Sequence, residues 1–352
     1  MILYLHIPFC DSKCFYCSFC SYTDKNDLKE VYLKAILKQF ESEEKRFDIS
    51  KKSITSFFIG GGTPSTFSPS LLSFFMKRVT PYLISNAEIT IEANPNSATL
   101  EWLLGMRELG FNRISFGVQS FNNEKLRFLG RVHNPKQALE AVENAWKVGF
   151  KNISIDLIYN TKCDNKKLLF EDITTAAALP INHLSAYSLT IEKNTKFYKM
   201  QNAQKESLYL AKYAINLLKS NGFSWYEISN FSRGYECFHN KGYWQHDDYI
   251  GIGCGAVGFC KNRRFYPSCN LEEYVKNPSS GKVENLSDEE LLFERIFLSL
   301  RSNIGLEIAK LPFDMVKKAD ILLNEKKGVM KNGRFYNINF FLADEMALFL
   351  TS

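Results

Sequence analysis

Short apolar runs return along the first half of the chain, with polar helix-like stretches between them. Tyr4-Leu5-His6-Ile7-Pro8-Phe9 reads as a first strand. Others are predicted at Ile54–Ile59, Glu88–Glu92, Arg113–Gly117, Asn152–Leu157 and His183–Leu189. Between the first two, Leu28, Val31, Tyr32, Ala35, Ile36 and Phe40 mark one helix face at a period of 3.6. Asp27-Leu28-Lys29-Glu30 ahead of them has the form of a capping box. Ala98–Leu109 and Pro135–Val148 repeat the helical pattern, and Gly149 stops the second. Repeated βα units predict an α/β fold, a parallel sheet with helices packed outside it. Periodicity alone does not separate an open barrel from a doubly wound sheet.

After about residue 222 the pattern changes. Trp225–Phe231 and the glycine-rich Tyr249–Gly258 read as strand and loop. Ser287–Arg301 is a helix with Ser287 as cap, Glu290 at the third helical position, and Leu291, Leu292, Ile296, Leu298 and Leu300 as apolar contacts. Lys310–Lys326 and Leu342–Leu350 add helical segments around Gly333–Ile338, a hairpin strand. The reading is therefore a core domain over residues 1–222 and a smaller α+β domain, winged-helix-like in pattern, over 223–352.

Length and composition are those of an ordinary globular protein: 352 residues and a formal net charge of +6. The basic residues are scattered, with Lys261-Asn262-Arg263-Arg264 the densest group, so no nucleic-acid partner is expected. No apolar run approaches the roughly 20 residues that span a bilayer; peripheral membrane contact, and monomer against homodimer, stay open. Nine cysteines, an odd number, and no secretory signal point to a reducing cytoplasm.

Four of those cysteines, Cys10, Cys14, Cys17 and Cys20, crowd into one segment, the first three spaced C-x3-C-x2-C. Zinc motifs usually pair two knuckles across a longer insert. Thiolates this close on one loop suit a polynuclear iron–sulfur cluster. In a [4Fe–4S] cube three cysteines leave one iron without a protein ligand, open to a small molecule. Farther on, the apolar Phe57-Phe58-Ile59 runs into Gly60-Gly61-Gly62-Thr63-Pro64, where glycines let the backbone approach a ligand closely. Charged Glu92 and Asp156 lie within apolar strands, which is costly unless each is paired or used by a ligand. Ligands of such sheets bind at the C-terminal ends of the strands.

The cysteine loop after the first strand and the GGTP-like motif after the second resemble the radical S-adenosylmethionine (SAM) superfamily. The resemblance implies an open partial (β/α)6 barrel with a [4Fe–4S] cluster on Cys10, Cys14 and Cys17. It places SAM against Gly61, Gly62 and Thr63, its methionyl end held by Arg131 and Glu92. Gln119 and Asp156 would reach the ribose, with Tyr4 and Tyr16 on the adenosyl and cluster side. The alternative for Arg131 and one carboxylate is a structural salt bridge. Cys20 stands outside the ligand set, as a spare thiol or a partial substitute.

Asn112–Phe121 and Asn122–Arg131 resemble the oxygen-independent coproporphyrinogen oxidase group. Tyr226–Phe231 and His239-Asn240-Lys241-Gly242-Tyr243-Trp244 are similar to its HemW branch, which carries H-N-x-x-Y-W. That branch implies a heme chaperone passing heme to an unknown acceptor hemoprotein, with His239 as axial heme ligand. A neutral imidazole suits the role, Tyr243 and Trp244 offer flat surface to a porphyrin, and Asn240 could orient the ring. Cys237 is near, without a C-x-x-C-H motif, and His246 is a weaker candidate. The competing reading has His239 and Trp244 packing the seam between domains. The alternative function is the oxidase itself, oxidising coproporphyrinogen III to protoporphyrinogen IX. Against it stand the short segment before Cys10 and Phe19 in place of the oxidase's fourth cysteine. A DNA-binding regulator would rest on the winged-helix pattern alone. Asn160-Thr161-Lys162 replaces the group's usual Gly-Leu-Pro turn after Asp156-Leu157-Ile158-Tyr159; Asn tolerates the left-handed conformation that Gly would take.

Overall fold

The computed structural model describes residues 1–200 and 202–352. Six parallel strands carry the architecture: β1 (Ile2–Ile7), β2 (Ile54–Gly61), β3 (Leu83–Ala93), β4 (Arg113–Gln119), β5 (Asn152–Tyr159) and β6 (His183–Ser188), adjacent in that order. Seven helices cross between or follow them: α1 (Lys29–Phe47), α2 (Pro69–Val79), α3 (Leu100–Glu108), α4 (Asn123–Leu129), α5 (Pro135–Lys147), α6 (Lys166–Ala178) and α7 (Leu208–Ser220). Registers such as Tyr4↔Phe58, Ile59↔Ile91 and Asp156↔Ser185 align the strands so that all six end on one face. The sheet does not close into a barrel.

Strand alternation sorts the side chains. Leu3, Leu5, Ile7, Phe57, Ile59, Ile91, Ile114, Phe116, Ile153 and Ile155 join one apolar core with the helices. The opposite row is polar: His6, Ser56, Glu88, Thr90, Arg113, Ser115, Ser154, His183 and Ser185 are all buried. A polar row is stable only where it is satisfied internally or by a ligand. Part of it is satisfied in place, as where His183 sits 2.7 Å from Ser154 Oγ and 2.8 Å from Tyr226 OH.

The sheet does not stop at residue 222. β7 (Ser224–Trp225) and β8 (Asn230–Ser232) extend it beyond β6. Helix α8 (Phe238–Trp244) then leads to β9 (Tyr249–Ile252), which pairs parallel with β1. β10 (Gly258–Cys260), β11 (Arg263–Pro267) and β12 (Gly281–Asn285) finish that edge. A second apolar core begins only with the helix Asp288–Leu300. It gathers Ile296, Leu300, Leu306, Ala319, Leu322, Phe335 and Met346 around a separate three-stranded sheet. The division into cores thus falls near residue 286, because β9 bonds along β1 instead of leaving it.

Local signals behave unevenly. Ser287 and Glu290 form the expected capping box, and Asn134 with Gln137 forms another. The Asp27–Glu30 box does not form: Asn26–Leu28 make a 3-10 turn, and α1 starts at Lys29 without a side-chain cap. The turn already directs the chain into the helix, leaving Asp27 no N-cap geometry. The segment Trp225–Phe231 is two short strands, not one, broken where Tyr226 and Asn303 bond across to the second unit. No described helix is long and apolar enough to cross a membrane.

Candidate functional site

At its end β1 passes through Pro8 and Phe9 into the cysteine loop. Cys10 N donates to Tyr22 O at 2.9 Å and Tyr22 N to Pro8 O at 2.7 Å, which closes the loop at its base. Phe15 N donates to Leu129 O at 3.0 Å, tying the loop to the end of α4. Gly130 ends that helix at φ 75°, and a Cβ there would lie 2.6 Å from the Phe15 ring. The glycine run of β2 lies alongside: Gly62 N donates to Ile7 O at 2.7 Å and Thr63 N to Phe9 O at 2.8 Å. A Cβ on Gly62 would stand 2.8 Å from Phe9 O and 3.0 Å from Cys10 Sγ. Only glycine admits this approach.

Above the strand ends lies a cavity of about 370 Å³. It is lined by Cys10, Cys14, Cys17, Tyr16, Gly61, Gly62, Thr63, Glu92, Gln119, Arg131 and Asp156. These come from the loops or ends of five strands and from the segment after α4. Thr63 Oγ1 donates to Cys10 Sγ at 3.4 Å and Arg131 Nη1 to Cys14 Sγ at 3.2 Å. Arg131 Nη2 also donates to Asn94 Oδ1 and Gly117 O, each at 2.6 Å. Gly61 N donates to Glu92 Oε2 at 3.1 Å. Arg131 is thus held by a thiol, an amide and a carbonyl, and forms no salt bridge with Glu92 or Asp156. Gln119 takes φ 68°, a left-handed turn that aims its amide back into the cavity.

Burial dominates the electrostatics of the cavity's carboxyls and thiols. Burial, then the Asp156 charge, lifts the Glu92 carboxyl to about 8. Burial lifts Asp156 to about 6, against hydrogen bonds from Ser185 and Ser115 that favour its anion. Burial also pushes the Cys10 and Cys17 thiols up. Gln119 Oε1 and Arg131 Nε are buried without a hydrogen-bond partner. Such orphaned groups are rare in a finished structure and point to a polar ligand.

The donor set fits an iron–sulfur cluster and a zwitterionic ligand. Three free thiols line one wall. Among the described residues no group of three or more His, Cys, Asp or Glu side chains is placed to hold a single metal ion. A polynuclear cluster asks for a wider spread of sulfurs, each on its own iron. The rest of the lining offers two carboxyls, Gln119 and, against Cys14, the arginine.

Two expected residues are not in the cavity. Tyr4 points along the polar row beneath it: its hydroxyl is 3.0 Å from His6 Nδ1 and its ring lies against Phe58 and His239. It lies three residues before the end of β1, beneath the residues that line the cavity. His239 is farther still. It belongs to α8, which closes the N-terminal end of the six strands. Its ring is 1% exposed, with Nδ1 3.0 Å from Ser56 Oγ and Nε2 3.0 Å from Tyr243 OH. Burial, then the nearby Arg113 charge, pushes its pKa down to about 3. Glu88 anchors this helix by accepting from Tyr235 OH, Phe238 N and His239 N. The imidazole is neutral, as an axial ligand must be, but neither nitrogen is free, so heme does not fit His239 in this arrangement.

Asn94, Ser115 and Tyr187 also line the cavity. The signal for Asn94 was its place two residues beyond Glu92, hence on the same side of β3. Asn160 takes φ 61°, the left-handed conformation expected of it.

Comparison with known proteins identifies the family and the fold. Residues 4–167 match the family model of the radical SAM superfamily. The chain is 33% identical over 320 residues to a heme chaperone HemW of Lactococcus lactis, covering 87% of this chain and 83% of the relative. It is 38% identical over 265 residues to a heme chaperone HemW of Haemophilus influenzae, covering 73% and 69%. The structure of the coproporphyrinogen III oxidase HemN from Escherichia coli, a radical SAM enzyme, superposes with a TM-score of 0.84 over 100% of this chain and 90% of that one, at 21% identity. The last likeness establishes the fold.

Proposed function

The chain belongs to the radical SAM superfamily and, within it, to the HemW family, and from that premise we propose that it is a heme chaperone. It binds heme and passes it to an acceptor hemoprotein in the cytoplasm, on a core that holds a [4Fe–4S] cluster and SAM. The observation that carries the reading is the one cavity that gathers Cys10, Cys14 and Cys17 with Glu92, Gln119, Arg131 and Asp156.

In that cavity the three cysteines hold the cluster and the glycine run keeps the loop against β2. A cluster held there would supply one-electron reduction and a site for SAM. Arg131, fixed by Asn94 and Gly117, presents a planar guanidinium for a carboxylate. Glu92 is fixed by Gly61 N and holds a proton near neutral pH, so it can donate as well as accept. Gln119 and Asp156 face the remaining hydroxyl-bearing part of the ligand, where Gln119 Oε1 still lacks a donor. Tyr16, half-buried beside Cys14 and Arg131, lines the cluster side of the cavity.

Heme ligation by His239 carries a structural condition. Ser56 and Tyr243 must release the ring, which means that α8 lifts from the end of the strands. Heme titration of His239→Ala beside the native chain tests this: a lost Soret band supports it, and an unchanged spectrum and affinity removes His239 from the heme site.

The function is tested on anaerobically reconstituted protein. Saturable heme binding, heme transfer to an apo-hemoprotein and no conversion of coproporphyrinogen III are expected. Conversion without stable heme binding would overturn the reading in favour of the oxidase. Cys10→Ala, Cys14→Ala and Cys17→Ala are each expected to lose the cluster's iron and its visible absorbance.

A further inference from the structure

Outside the cavity a second group of cysteines comes together from three distant places in the chain. Cys20 ends the cysteine loop, Cys254 lies in the Gly253-Cys254-Gly255 turn after β9, and Cys269 follows β11. Cys20 Sγ is 3.7 Å from Cys254 Sγ and 3.3 Å from Cys269 O. A Cβ built on Gly255 would lie 3.2 Å from Cys269 Sγ and 3.4 Å from Cys20 Sγ, so the side chains of Cys20 and Cys269 meet at the glycine that follows Cys254. None of the three lines the cavity.

The contact is built, not incidental. β9 runs parallel to β1, so its end arrives beside the start of the cysteine loop. The Tyr32 hydroxyl accepts from Cys254 N at 3.0 Å and donates to His6 O at 2.6 Å, clamping the turn to β1. Gln39 Oε1 accepts from Gly253 N at 2.8 Å. His6 Nε2 lies 2.8 Å from Cys20 O, which fixes the other partner. Gly253 and Gly255, at φ 116° and 74°, make a turn tight enough to aim Cys254 at Cys20.

We propose that Cys20 and Cys254 are a thiol–disulfide exchange site, taking small-molecule disulfides as oxidant and closing to an intramolecular disulfide that staples the end of the cysteine loop to β9. Cys20 is partly exposed and Cys254 fully buried, so the reagent enters at Cys20. The Cys20 thiolate attacks the reagent's S–S bond, one reagent thiol leaves, and a mixed disulfide forms. The Cys254 sulfur then displaces the second reagent thiol and bonds to Cys20. The pair gives up two electrons and two protons, and the reagent is reduced to two thiols. A hydrogen bond from Cys254 is the chief influence drawing the Cys20 thiol down to about 7, which favours Cys20 as the attacking sulfur. Two of the four bonds that shape the site, Tyr32 to His6 and His6 to Cys20, run through the strand that carries the cysteine loop.

The test uses the full chain, iron-loaded, equilibrated anaerobically in buffers of reduced and oxidised glutathione, then alkylated and mapped by peptide mass spectrometry. The expected product is a linked peptide pair holding Cys20 and Cys254, two alkylatable thiols lost per chain, and unchanged iron content. Cys269→Ser should leave the linked pair in place, while Cys254→Ser and Cys254→Ala should abolish it. Peptides linking Cys20 to Cys10, Cys14 or Cys17 would overturn the proposal. So would Cys20 and Cys254 both remaining alkylatable in buffers that glutathionylate exposed Cys269. Peptide mapping reads the pair whether or not iron loads, so its failure is distinct from failure of the cluster assignment.

Discussion

Glu88 is the residue whose loss should report most directly on the helix that carries His239. Its side chain is buried on β3, and it accepts from Tyr235 OH at 2.7 Å, Phe238 N at 2.9 Å and His239 N at 3.0 Å. It therefore caps α8 from a strand 150 residues away. Hydrogen bonds to a charged group contribute about 1.5–3 kcal/mol each, and they do not add fully. Arg113 is buried beside it, with Nε and Nη1 unpaired, and loses a nearby countercharge. Glu88→Ala is thus expected to cost about 3–5 kcal/mol, a large share of the 5–15 kcal/mol typical of a folded domain. Tyr235→Phe removes one bond and should cost about 1 kcal/mol. Urea unfolding of the three proteins measures this. Acylation of His239 by a histidine-directed reagent provides a second readout and should rise in Glu88→Ala. A Glu88→Ala cost below about 1 kcal/mol, or one matched by Tyr235→Phe, would refute the capping role.

Three further outcomes follow from the same geometry. Gly62→Ala should push the cysteine loop off β2, because the new Cβ meets Phe9 O and Cys10 Sγ at 2.8 and 3.0 Å, so iron retained after reconstitution should fall several-fold; native iron content would contradict the fit. Glu92 and Asp156 carry folded values of about 8 and 6 against ordinary values of 4.5 and 3.8. The contribution of these two carboxyls to the stability of the cluster-free protein is therefore full below those ordinary values and lost as pH rises through about 6 and then about 8. Glu92→Gln should flatten the upper part of that loss in urea midpoints, and parallel profiles would exclude Glu92 as its source. Lys125 Nζ lies 2.7 Å from Asp164 Oδ1 and 3.2 Å from Asp172 Oδ2, all three being buried. Lys125→Met should cost about 3–5 kcal/mol by leaving two carboxylates unpaired. It should also weaken SAM binding, since Asp172 holds Ser120 and Phe121 N next to Gln119. Equal SAM affinity in calorimetry would confine the triad to stability.

Much of the fold and of the cavity was legible from local pattern. The six core strands appear where apolar runs stood, since each buries one face against helices and must be apolar there whatever its neighbours are. The cysteine loop, the glycine run, Glu92 and Asp156 were visible because close-spaced thiols, and a charge or glycine in an apolar strand, are conspicuous by composition, whereas Gln119 and Arg131 were named through the family resemblance. Asn94 was hidden, since an asparagine before a proline reads equally well as a turn.

Alternation along a strand tells which side a residue faces, and that much is written in the chain. It does not tell how far along the strand direction the residue sits from the sheet's C-terminal edge. Tyr4 and Glu92 share the polar side, yet only Glu92 reaches the strand ends, and the parallel register with β2 sets that difference. The placing of His239 under the strands, and of Cys254 against Cys20, depends on pairings more than 180 and 230 residues apart. Contacts of that span follow from how β9 and α8 dock on β1 and β2. That docking is a property of the assembled sheet, because the burial and hydrogen bonding that select it exist only once every strand is in place.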